Sequence, residues 1–143
     1  MASDTNPSGL EEIDEAECWQ LLERQPIGRL GVAIANQPEI FPINYVVDGR
    51  SIVFLTAEGT KFAAAVLGQS VAFEIDAADP LFHTGWSVVV RGRAHEIEKL
   101  DDLVAAEELP LRPWAKGRKT RYVRITPEVV TGRRIVQGAP RDG

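Results

Sequence analysis

Apolar residues recur at every second position in several short stretches of this chain, and compact turn signals separate the stretches. A period of two marks a strand with one face in a core and the other outside it. In residues 27–35, Leu30, Val32 and Ile34 share one face and Arg29, Gly31 and Ala33 the other. Residues 70–76 repeat the pattern with Val71, Phe73 and Ile75. Residues 85–98 form a long strand, bent at Gly92, with Trp86, Val88 and Val90 on one face and Ser87, Val89 and Arg91 on the other. Residues 40–47 read as a strand preceded by a turn at Pro38. Pro42 within it marks an edge, a bulge or an opening, because proline donates no ladder hydrogen bond. Asp48-Gly49 is a two-residue hairpin signal leading into a strand at 51–55. A last long strand covers 121–126 and a short one 132–136. Short helices fall at 62–67 and around Leu100, Leu103 and Val104. Another is opened by Asp14, with Glu17 placed as in a capping box, and ended by Pro26. The class is mainly β with short helices (α+β). Six to seven strands joined by short turns make an antiparallel sheet, and a sheet of that size in a small domain closes into a barrel to remove its edges.

At 143 residues the chain makes one domain. Residues 1–12, small and polar with Pro7 and Gly9, are expected to be a disordered N-terminal segment, 13–136 the folded domain, and 137–143 a flexible C-terminal tail. No apolar run approaches the roughly 20 residues that span a bilayer. No basic n-region and apolar h-region open the chain, and the single Cys18 has no internal disulfide partner. A cytoplasmic protein with no membrane partner is expected. The net charge of −5 conceals an asymmetry: of 16 Lys and Arg, nine lie after residue 109, against two of the 21 acids. A basic segment on an acidic body suits an anionic ligand or the acidic surface of another subunit. The acidic body, without aromatic ladders, argues against nucleic acid.

Chemistry concentrates at residues 51–67, a strand, a polar turn and a short helix. Phe62, Ala65 and Val66 make the apolar face of that helix, Thr60 stands at its N-cap and Lys61 in its first turn. A helix N-terminus offers free N–H groups and partial positive charge, so a cation there asks for an anion such as phosphate; a solvated lysine on a capped helix is the plainer alternative. Cys18 lies on an apolar helix face and reads as core. Arg91, on a strand expected to be buried, requires a partner, with Glu74 or Asp76 on the preceding strand the nearest acids. Trp114 sits among basic residues in a loop. His83 and His95 lack a metal-ligand spacing, and no metal site is expected.

Taken in order, Ile27-Gly28-Arg29-Leu30, Pro42-x-Asn44-Tyr45, Asp48-Gly49, Thr56-x-x-Gly59-Thr60-Lys61, Phe73-Glu74-x-Asp76, Gly85-Trp86-Ser87-Val88 and Gly132-Arg133-Arg134-Ile135 resemble the pyridoxamine 5′-phosphate oxidase-like flavin-binding split-barrel family, over about residues 14–136. The resemblance implies a split β-barrel, an FMN cofactor, a homodimer with the flavin at the subunit interface, and oxidoreductase activity on an unidentified small molecule. It assigns the FMN phosphate to Thr56, Thr60 and Lys61, the isoalloxazine to Pro42, Ile43 and Asn44, the ring or ribityl chain to Trp86 and Ser87, and a contribution from the second subunit to Trp114. It assigns no catalytic residue. The turn holds one basic residue where the name-giving enzymes have an Arg-Lys pair, with Arg29, Arg91 or the basic segment available for the second charge. Those enzymes also have a longer C-terminal region that binds substrate. A deazaflavin cofactor held by the basic segment is the alternative. A non-catalytic flavin or haem binder, with His83 as haem ligand, is a third reading.

Overall fold

The period-two stretches become strands whose apolar faces turn into one core. The structure is a computed structural model that describes residues 9–57, 60–111 and 121–136, without the side chain of Lys61. In chain order the elements are β1 (Leu10–Ile13), α1 (Glu15–Arg24), β2 (Ile27–Ile34), β3 (Gln37–Asn44), β4 (Val46–Val47), β5 (Ile52–Thr56), α2 (Lys61–Val66), β6 (Ser70–Asp79), β7 (Thr84–Glu96), α3 (Leu100–Glu107) and β8 (Arg121–Ile135). All pairings are antiparallel, in the order β3-β2-β6-β7-β8-β5-β4, with β1 added to β8.

The sheet curls so that β3, at one end of this order, approaches β5 near the other. Phe62 of α2 fills the split between them, edge-on to Phe41 of β3 (ring centroids 4.7 Å apart) and to Phe54 of β5 (6.0 Å). The concave side holds Leu30, Val32, Phe54, Phe73, Ile75, Val88, Val90, Val123 and Ile125. Helix α1 covers it with Cys18, Trp19, Leu21 and Leu22. Cys18 is wholly buried and its thiol is pushed up, first by burial and then by the acids that open α1, so it is core and not a nucleophile. A smaller cluster joins Val53 and Ile97 to Ala106 and Leu103 of α3. Leu100 and Val104 of α3 face solvent.

Several boundaries differ from the sequence expectation. Residues 10–12, expected in a disordered segment, form β1, because Leu10–Ile13 pairs with Gly132–Ile135 along the whole length of β1. The turn between β2 and β3 is Ala35-Asn36, both at positive φ, and not Pro38, which lies inside β3. The two C-terminal strands are one. Pro127 is tolerated within β8 because a register shift at Arg91/Gly92 falls opposite it. Gly92 permits that shift: a Cβ there would lie 2.1 Å from the Thr126 carbonyl oxygen. Asp14 caps α1 as expected, accepting from the Glu17 N–H at 2.8 Å, but the Glu17 carboxylate turns to Arg134 instead of closing a capping box.

Candidate functional site

Thr56 and Thr60 flank the segment between β5 and α2, and the Thr60 hydroxyl is committed to the protein. Thr56 ends β5 and is 2% exposed. Thr60 caps α2: its hydroxyl donates to the Ala57 carbonyl at 3.0 Å and accepts from the Ala63 N–H at 3.1 Å. The hydroxyl therefore shapes the start of α2, where an anion would be met by main-chain N–H groups; the Lys61 side chain lies outside the described residues. The first turn of α2 carries no acid, whereas α1 has Glu15 and Glu17 there and α3 has Asp101 and Asp102.

The Phe41–Phe62 contact seats α2 against β3, the strand that also carries Pro42, Ile43 and Asn44. The three do not act alike. Ile43 pairs with Gly28 and packs against the core, while Pro42 and Asn44 turn to the opposite, convex face. Pro42 lies directly across from Arg29, Arg29 from Glu74, and Asp76 from Ser87, so all of these residues share the convex face. Asn44 and Ser87 stand three strands apart, roughly 14 Å at ordinary strand spacing.

Arg29, Glu74 and Asp76 occupy the ground between. One guanidinium nitrogen of Arg29 reaches Glu74 Oε1 at 3.3 Å and Asp76 Oδ2 at 3.0 Å. Glu74 is pushed up to about 7, first by burial and then by Asp76, with Arg29 opposing. This corrects the expectation for Arg91, which is exposed on the convex face with no ion pair among the described residues. Sequence reasoning named Arg29 only as a candidate second charge for the phosphate and gave Glu74 and Asp76 no site role. The signal for the cluster was present, since Glu74 and Asp76 are two apart on an alternating strand.

Trp86 packs its ring against the core edge and lines a cavity of about 500 Å³ with Ala77, Ala78, Gly85, Arg134 and Ile135. It does not meet the turn within one chain. Trp86 pairs with Arg134 and Thr56 with Arg121, positions at opposite ends of β8, roughly 40 Å of extended strand. Trp114 and the basic run 116–119 lie outside the described residues. His83 is exposed at positive φ in the β6–β7 turn, and no group of His, Cys, Asp and Glu among the described residues is arranged to hold a metal ion. No helix among them is long and apolar enough to cross a membrane.

Comparison with known proteins adds to this geometry. The family profile described as pyridoxamine 5′-phosphate oxidase matches residues 14–134. An uncharacterised protein of Mycobacterium tuberculosis is 40% identical over 131 residues, covering 87% of this chain and 85% of that protein. The structure of an FAD-binding protein from Mycobacterium smegmatis superposes with a TM-score of 0.77 at 40% identity, covering 87% of this chain and 97% of that one. An FAD-binding protein from Mesorhizobium loti shares the fold at 21% identity, with a TM-score of 0.72 over 90% of this chain and 98% of that one.

Proposed function

The chain belongs to the pyridoxamine 5′-phosphate oxidase family, with its flavin-binding split-barrel fold, and from that premise we propose that it is a flavin-nucleotide-binding oxidoreductase acting on a small molecule. The observation that carries the reading is the seating of the acid-free N-terminus of α2 against the proline-bearing strand β3 through Phe41 and Phe62. The main-chain N–H groups at Thr60 and Lys61, with the Lys61 ammonium, hold the phosphate next to the ribityl chain, and Pro42 and Asn44 border the ring. This is the part that FMN and FAD have in common. The 40%-identical Mycobacterium smegmatis protein is named for FAD, which favours FAD over FMN or a deazaflavin. When bound, the flavin supplies the electron transfer; the protein binds it, orients it and sets the polarity around its ring.

The chain acts as a homodimer in this reading. Trp86 and Ser87 lie far along the sheet from Thr56 and Lys61, so a site that uses both draws on two copies. The convex face offers a surface for the second: Ile40 and Val129 are exposed there, and with Gly31, Ala33, Pro38, Ala72, Arg91 and Gly92 they border a shallow hollow of about 650 Å³. The test is the visible spectrum of the purified protein with chromatographic identification of the released chromophore, and light scattering on the same sample. Flavin absorbance, released FAD and a dimer mass are expected. A colourless protein that binds neither FAD nor FMN when they are added would overturn the proposal. Reduction of the bound flavin by a nicotinamide donor, followed by reoxidation on a small-molecule acceptor, tests the oxidoreductase assignment.

A further inference from the structure

Arg29, Glu74 and Asp76 bring one positive and two negative charges to the convex face, on a single guanidinium nitrogen. An ion pair that served only to tie β2 to β6 needs one acid. The second leaves a surplus charge beside Pro42, the cross-strand neighbour of Arg29. We propose that these three residues form a one-proton switch on the flavin-facing side of the sheet: with a proton on Glu74 the cluster is neutral, without it the cluster carries one negative charge, and an anionic flavin nucleotide binds the neutral form more tightly.

The inference rests on the flavin reading above and extends it to residues that neither the turn nor β3 supplies. The neighbourhood of Glu74 supports it. On its own strand stand Ala72 and Asp76, and across on β2 stands Arg29, with Pro42 of β3 beyond it and no charged residue of β3 on this face near by. On β7, Val89 lies directly opposite, with Ser87 and Arg91 on the diagonals, and Arg133 of β8 lies beyond Ser87. Arg29 is the one cation within ion-pair distance of Glu74 among the described residues, and it also faces Asp76. Burial and Asp76 outweigh it and push Glu74 up to about 7, so the proton is gained and lost around neutral pH.

The experiment uses the full-length protein with FMN and FAD as probes. Dissociation constants are measured from pH 5.5 to 8.5 for wild type, Glu74→Gln and Asp76→Asn. Wild type should lose roughly three- to tenfold in affinity across neutrality beyond any loss shown by Glu74→Gln, as one added charge at roughly 10 Å implies at intermediate dielectric. Glu74→Gln should keep the low-pH affinity at pH 8. In the flavin-free protein, carboxyl NMR with labelled glutamate should show one resonance titrating near pH 7. It should be absent in Glu74→Gln and shifted to lower pH in Asp76→Asn, a readout that needs no flavin. A Glu74 midpoint below about pH 5.5 would overturn the switch, as would identical binding profiles in wild type and Glu74→Gln. Should Glu74→Gln fail to fold, an unshifted Glu74 midpoint in Asp76→Asn or an Asp76→Asn binding profile identical to wild type would do the same. Failure of both flavins to bind at any pH would overturn the flavin reading along with it, whereas binding with an unaltered profile would overturn the switch alone.

Discussion

Helix α2 has six residues, too few to hold together in water by itself, so its place beside β3 depends on what it buries. Ala63 and Val66 are buried, and Phe62 is half-buried between Phe41 and Phe54. Removing a fully buried phenylalanine ring costs about 3–5 kcal/mol, so a half-buried ring is worth about 2 kcal/mol. Two edge-on ring contacts, at about 0.5–1.5 kcal/mol each, account for part of that sum. Phe62→Ala should therefore lower stability by about 2 kcal/mol, read as a fall in urea midpoint of about 1 M at an ordinary dependence on denaturant. Phe62→Leu, which refills most of the volume, should lose less than about 1.5 kcal/mol. Flavin affinity should fall in Phe62→Ala and largely return in Phe62→Leu, because the ring positions the helix and does not itself bind. A Phe62→Ala protein within about 0.5 kcal/mol of wild type would refute the anchoring argument. Unchanged stability with lost flavin would instead place the ring in the ligand site.

Gly28→Ala should destabilise by about 1–3 kcal/mol in urea unfolding, because its Cβ would lie 2.1 Å from Cζ of the buried Phe73, which is itself edge-on to Tyr45 at 4.7 Å; a neutral effect would show that the Phe73 ring has room to move. Lys61→Ala should weaken FMN by about 1.5–3 kcal/mol, the worth of a charge-assisted bond, and leave riboflavin unaffected in titration calorimetry; equal loss for both ligands would make the lysine structural. Glu74, raised to about 7 from an ordinary 4.5, binds its proton more tightly folded than unfolded. Its contribution to stability is therefore full below about pH 4.5 and is lost as the pH rises toward 7. The wild-type advantage over Glu74→Gln in urea midpoint should accordingly shrink between pH 5 and pH 8, and a constant difference would count against the raised value.

What could be read from residues alone was whatever depends on neighbours in sequence. Alternation placed Leu30, Val32, Phe73, Ile75, Val88 and Val90 on the core side of their strands, and they are buried there. Asp14 and Thr60 were recognisable as N-caps because a side-chain oxygen reaches an amide three residues on. The family likeness, carried by short motifs in order, led to the barrel and to the turn at 56–61. Pairing between distant segments is set by the packing of the whole sheet, and local patterns are silent about it. Nothing near residues 10–13 announces that they complete an edge of β8, nor does Pro127 disclose that a bulge lets one strand run through it. The charged cluster shows the division most clearly. Alternation assigned Glu74 and Asp76 to one face of β6, but both flanking strands carry an arginine on that face. Only the register, which sets Glu74 opposite Arg29 and carries Arg91 two residues past it to pair with Ala72, decided which arginine the acids hold.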